Sequence, residues 1–153
     1  MPQELFDRRN VMSSAAVAAA AAVVASSEVE AQAPAGGRMT VHILDLFSGT
    51  PASGVQVDLF AKSGSDMKLV KSVTTGVNGR PDSGPLLAGD AFAAGRYVVT
   101  FDLTSYFKAA DKSLPANFFR KVSMEFEVTD AKMPHHIPLQ CTPWNQACSV
   151  LPG

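Results

Sequence analysis

Met133-Pro134-His135-His136-Ile137-Pro138-Leu139-Gln140-Cys141 alternates at a period of two. Ile137, Leu139 and Cys141 take one phase and His136, Pro138 and Gln140 the other, the pattern of a β-strand with one buried face. A histidine therefore points away from the side that carries the apolar residues. Residues 39–46 repeat the arrangement, with Val41 and Ile43 in one phase and Thr40, His42 and Leu44 in the other. Side by side in one sheet, these two strands bring His42 and His136 together on its outer face.

Working outward, turn signals punctuate short strands from residue 39 to the end. Ser48-Gly49-Thr50-Pro51 and Ser53-Gly54 follow the first strand. Val55, Val57 and Leu59 line one face of a second, Ser63-Gly64-Ser65-Asp66 turns the chain, and residues 69–75 form a third strand. Asn78-Gly79 is a turn because both residues tolerate positive φ. Residues 80–85 read as loop, and 86–92 hold a short edge strand. In residues 95–103, Tyr97, Val99 and Phe101 lie opposite Val98 and Thr100. Residues 104–110 are the helix candidate of this region, with Thr104 as its cap and Tyr106, Phe107 and Ala110 on its apolar side. In residues 121–128, Val122, Met124, Phe126 and Val128 alternate with Lys121, Ser123, Glu125 and Glu127, so one face is buried and the other wet. Seven or eight such strands predict an all-β, two-sheet sandwich with one short helix.

The 153 residues, 46% hydrophobic and 18% charged, suit one globular domain plus an appendage. Residues 1–35 are that appendage. Arg8 and Arg9 precede an Ala/Val run, and Ala31-Gln32-Ala33-Pro34-Ala35 supplies small residues for cleavage. This is the order of an export signal, and the paired arginines point to the twin-arginine route. The apolar run is too short and too alanine-rich for a spanning helix, so no membrane anchor is expected after cleavage. The sequence thus predicts a periplasmic domain over residues 36–153. Without residues 1–35 the chain keeps 11 basic and 10 acidic residues, with no basic run. Nucleic acid is therefore not an expected partner.

Arg80, after the Asn78-Gly79 turn, is by itself an ordinary solvated loop residue. Beside a reacting group its fixed fork of donors becomes an anion or carbonyl clamp. Each histidine alone likewise reads as a partly exposed strand residue, and it is the pair that carries chemistry. Zinc is not expected: His135 and His136 point to opposite faces and no third ligand has metal spacing. No Gly-x-Ser-x-Gly motif marks a nucleophile. Cys141 and Cys148 are separated by six residues with a Pro143-Trp144-Asn145 turn between them. In an oxidising periplasm that pair predicts a disulfide.

His42-Ile43-Leu44-Asp45, the Ser48-Gly49-Thr50-Pro51-Ala52 turn, Asn78-Gly79-Arg80, Tyr97-Val98-Val99-Thr100-Phe101-Asp102, Tyr106-Phe107, Phe118-Phe119 and His136-Ile137-Pro138-Leu139 together resemble the transthyretin-related family. The similarity runs from about residue 39 to 144 and is closest to the family's 5-hydroxyisourate hydrolase branch. It implies an eight-stranded sandwich, usually a homotetramer with sites along a channel between dimers. It also implies ring-opening hydrolysis of a small molecule in urate breakdown, without a cofactor. The hydrolases' His, Arg and His positions fall on His42, Arg80 and His136, which makes the histidines the expected catalytic pair and Arg80 the expected substrate contact. The tail departs from the family. Hydrolases end in Tyr-Arg-Gly-Ser, which helps build the site, whereas Ser149-Val150-Leu151-Pro152 stands here and Trp144 replaces a usual Tyr. That departure leaves two alternatives: an exported, non-catalytic ligand-binding module, or a hydrolase with the same three side chains acting on another small lactam or lactone.

Overall fold

The computed structural model describes residues 37–110 and 120–152. The predicted export signal and Phe118-Phe119 lie outside the described residues. The elements follow in chain order: β1 (Arg38–Asp45), β2 (Thr50–Pro51), β3 (Gln56–Ser63), β4 (Asp66–Thr74), β5 (Leu87–Ala88), a 3-10 turn (Gly89–Ala91), β6 (Gly95–Asp102), α1 (Thr104–Ala110), β7 (Lys121–Val128), β8 (His135–Cys141), β9 (Gln146–Cys148) and β10 (Leu151–Pro152).

Two sheets form the predicted sandwich. One runs β10-β8-β1-β2, with β5 also on β1 and β9 also on β8; the other runs β4-β3-β6-β7. The core lies between them. Met39, Val41 and Ile43 of β1 and Ile137 and Leu139 of β8 face Val57 and Leu59 of β3 and Val99 and Phe101 of β6, all essentially inaccessible to water. Each of these positions follows from period-two alternation on a half-buried strand. Phe107 of α1 is buried in the same core.

β9 and β10 are one strand in two pieces. Leu139↔Cys148 and Leu151↔His136 belong to a single antiparallel register, which places the break at Ser149 and Val150 beside Pro138. Proline has no N–H to give to a ladder, so at this pair only the Ser149 N–H bond to the Pro138 carbonyl, 3.3 Å, is made. With β2 taken as a two-residue ribbon at the tip of β1, the remaining strands make the eight expected.

Several boundaries shift for physical reasons. β4 begins at Asp66 rather than residue 69, on a sheet edge where Met67, Leu69 and Val70 are all exposed and no alternation marks the start. Thr104 is not the helix cap. Asp102 Oδ1 accepts the Thr104 N–H at 3.0 Å, while the Thr104 hydroxyl donates to the Arg120 carbonyl. Cys141 and Cys148, expected as a disulfide, are free thiols. Cys141 pairs across the hairpin with Gln146, and Cys148 with Leu139. The cysteines are thus diagonal neighbours, about 7–8 Å apart in an antiparallel ladder and beyond comfortable reach of an S–S bond. Burial pushes the Cys141 thiol up to about 12 and the Cys148 thiol up to about 11. No helix among the described residues is long and apolar enough to cross a membrane.

Candidate active site

β1 and β8 lie side by side and parallel, with Thr40 opposite His136 and His42 opposite Pro138. Because Val41, Ile43, Ile137 and Leu139 take the core phase, His42 and His136 share the outer face. Their ring centroids are 6.4 Å apart, tilted by 38°. Both rings are half-buried.

Arg80 reaches the same face within one chain. Its Nη2 lies 3.3 Å from His42 Nδ1. A guanidinium has no lone pair to offer, so it donates and His42 Nδ1 accepts. This gives the neutral His42 ring its proton on Nε2.

A tight hairpin of residues 75–81 presents the arginine. Thr75 bridges to Pro81, the Asn78 side chain accepts the Arg80 N–H at 2.9 Å, and Gly76 N–H bonds to the Arg80 carbonyl at 2.8 Å. The hairpin is stitched to the edge of β1 by Ile43 N–H donating to the Gly79 carbonyl at 2.9 Å. Glycine at 79 is required twice over. Its φ is +72°, and a Cβ there would stand 2.3 Å from the Ile43 carbonyl oxygen and 3.2 Å from the His42 ring. Gly79→Ala is therefore expected to push the hairpin off β1 and detach Arg80, with activity falling at least ten-fold. A crystal structure of the variant with the Arg80–His42 contact intact would contradict this.

The alternation alone did not single out Thr40. Its Oγ1 lies 2.9 Å from His136 Nδ1 and 3.5 Å from the His135 carbonyl. The signal is present in the sequence, since Thr40 and His42 share a phase. Which strand lies beside β1, and in which direction, is not in the pattern. His135 points the other way, its Nδ1–H donating to the Met133 carbonyl at 2.9 Å and its ring meeting Phe92 edge-on at 5.6 Å.

Electrostatics hold both site histidines neutral. Desolvation lowers the His42 pKa below its ordinary 6.5, the Arg80 charge lowers it further, and a hydrogen bond with the Asn78 backbone partly opposes them. His136 is lowered by desolvation, then by Arg80 and by His42. Among the described residues no cluster of three or more His, Cys, Asp or Glu side chains is placed to hold a metal. The arrangement can accept a proton, donate hydrogen bonds to a developing negative charge, and orient a small polar ring.

The sequence model of the HIUase/Transthyretin family matches residues 39–148. The 5-hydroxyisourate hydrolase 2 of Rhizobium meliloti is 38% identical over 109 residues, covering 71% of this chain and 90% of its own. The 5-hydroxyisourate hydrolase of Ralstonia nicotianae is 38% identical over 110 residues, 71% of this chain and 93% of its own. Among solved structures, (S)-allantoin synthase superposes with a TM-score of 0.68 at 30% identity, over 78% of this chain and only 44% of that longer protein. Transthyretin from Sparus aurata superposes at 0.67 with 23% identity, over 76% of this chain and 97% of its own, which speaks to the fold alone. A sandwich with this register, matched in sequence over both histidine strands and the arginine hairpin, leaves one assignment: the chain belongs to the HIUase/Transthyretin family.

Proposed function

We propose that the protein is a hydrolase that opens the cyclic amide ring of 5-hydroxyisourate in urate breakdown. The observation that carries this reading is the cluster of His136, His42 and Arg80 on one sheet face, in a chain closely similar to hydrolases of that name. His136 is the general base. With its proton turned to the His135 carbonyl, the Thr40 hydroxyl accepts from His136 Nδ1–H, which leaves the lone pair on Nε2. That nitrogen has no protein hydrogen bond among the described residues. His42 already accepts from Arg80 through Nδ1, so it serves to orient rather than to take a proton.

In the reaction, Nε2 of His136 removes a proton from water and the hydroxide attacks the ring carbonyl. Arg80 stabilises the tetrahedral oxyanion, the C–N bond breaks, and the His136 imidazolium returns its proton to the leaving nitrogen. Lowered pKa values keep the base unprotonated at neutral pH. Purified protein should accelerate the decay of freshly made 5-hydroxyisourate, followed by ultraviolet absorbance; decay at the buffer rate would remove this substrate.

Arg80→Gln should lower kcat/KM about 10²–10³-fold, the usual loss for one oxyanion donor. The sign of the pH effect follows from the charge. Arg80 lowers the His136 pKa, so the acid limb of the parent lies below pH 6.5 and should move upward in the variant. An unmoved limb would show that Arg80 is electrostatically remote from the base.

Two further readings belong to the same proposal. Leu46, Phe47 and Trp144 are each more than half exposed, and Phe47 meets Trp144 edge-on at 5.9 Å. Such an apolar patch just past the C-terminal ends of β1 and β8 suits burial between copies in a homotetramer; a monomeric mass by light scattering would refute it. Export by the twin-arginine route rests on Arg8 and Arg9. Replacing both with Lys should leave precursor in the cytoplasm, and unchanged processing would point to the general secretory route.

A further inference from the structure

The last strand places an apolar side chain at the catalytic face. Val150 packs against the core, so alternation turns Leu151 outward, and Leu151 stands directly across the ladder from His136. Side chains of such antiparallel partners share a face, with Cβ atoms about 5 Å apart. Leu151 is 47% exposed and open to whatever approaches His136. Pro152, next in the strand, has no N–H to offer. Pro138 lies on the same outer face beside them.

The two sides of the site therefore differ in chemistry. Thr40, His42 and Arg80 gather polar groups on the β1 side. On the β10 side stand Leu151 and proline, and residues 143–152 contain no Asp, Glu, Lys or Arg. Among the described residues the tail therefore brings no charged side chain to this face. The family match ends at Cys148, so this wall lies beyond the matched span.

We infer that Leu151 is a specificity-determining residue that selects cyclic amides carrying an alkyl group on the edge facing β10. This rests on the hydrolase reading above. The polar edge of such a ring meets Arg80 and His42, its scissile carbonyl lies near His136 Nε2, and its alkyl group packs on Leu151. An unsubstituted ring presents there a hydrogen-bonding N–H that Leu151 leaves unpartnered. A methyl against an apolar wall is worth roughly ten-fold or more in discrimination.

The test compares kcat/KM for 5-hydroxyisourate and for its N-methylated analogues, freshly made from the corresponding methylurates, in the parent, Leu151→Ser and Leu151→Met. Leu151 is half exposed, so all three should unfold at similar temperatures. In the parent, at least one methylated ring should be favoured about ten-fold. Leu151→Ser should abolish or reverse that preference while still turning over the unmethylated ring, and Leu151→Met should keep it. Turnover of both rings with a ratio that Leu151→Ser leaves unmoved, or a parent preference for the unmethylated ring over every analogue, would overturn the proposal alone. Turnover of no ring by the parent would overturn the hydrolase reading and this proposal with it.

Discussion

His136→Ala is expected to lower kcat about 10²–10⁴-fold, the usual contribution of a positioned general base. It should do so without unfolding the protein, because the ring lies on the outer face of β8 and only Ile137, Leu139 and Cys141 of that strand enter the core. The decisive readout is the shape of the pH profile. If His136 is the base, its variant loses the acid limb, and added imidazole restores part of the rate by replacing the missing acceptor. His42→Ala should slow the enzyme yet keep an acid limb, since the titrating group remains. Thr40→Val removes the hydroxyl at 2.9 Å from His136 Nδ1 while preserving its shape. The imidazole is then free to adopt either tautomer, and a loss of about ten-fold in kcat with little change in KM should follow. An acid limb that vanishes in His42→Ala and survives in His136→Ala would exchange the two roles.

Part of the site is legible in the sequence because strand alternation decides faces. Val41 and Ile43 in one phase fix His42 in the other, and Ile137 and Leu139 do the same for His136; a one-residue slip would bury both histidines. Strand order is not a local property. That β1 and β8 run parallel, with Thr40 rather than His42 opposite His136, depends on the whole sandwich. Arg80 shows the same limit. Asn78-Gly79 announces a turn, but the hydrogen bond from Ile43 that pins the turn to β1 joins residues far apart in sequence. The disulfide expectation failed for a related reason. Six intervening residues allow a hairpin in more than one register, and the register adopted sets Cys141 and Cys148 two positions out of step.

Asp45→Ala should destabilise the fold by about 2–4 kcal/mol, a large share of the usual 5–15 kcal/mol for a domain. The same alternation that buries Ile43 also buries this carboxylate, which is 1% exposed. No cation pairs with it among the described residues, and hydrogen bonds hold it instead. Oδ1 accepts the Phe47 N–H at 2.8 Å and the Ser48 N–H at 3.4 Å, and Oδ2 accepts the hydroxyls of Ser48 at 2.8 Å and Tyr106 at 2.9 Å. One side chain thus ties the β1–β2 turn to α1, and burial with this carboxylate raises the Tyr106 pKa to about 12. Removing it strands a half-buried phenol and loosens the turn, whereas the exposed Phe47 and Ser48 amides can turn to water. Tyr106→Phe should cost less, about 1 kcal/mol, because the phenol is removed along with its need for a partner. The double variant tests the link: urea unfolding should give a coupling of about 1 kcal/mol between the two sites. Full additivity would mean that the Tyr106 bond contributes nothing and that the turn alone needs the carboxylate. Since His42 lies three residues before Asp45 on β1, a stability loss with unchanged kcat would show that the turn can relax without moving the catalytic face.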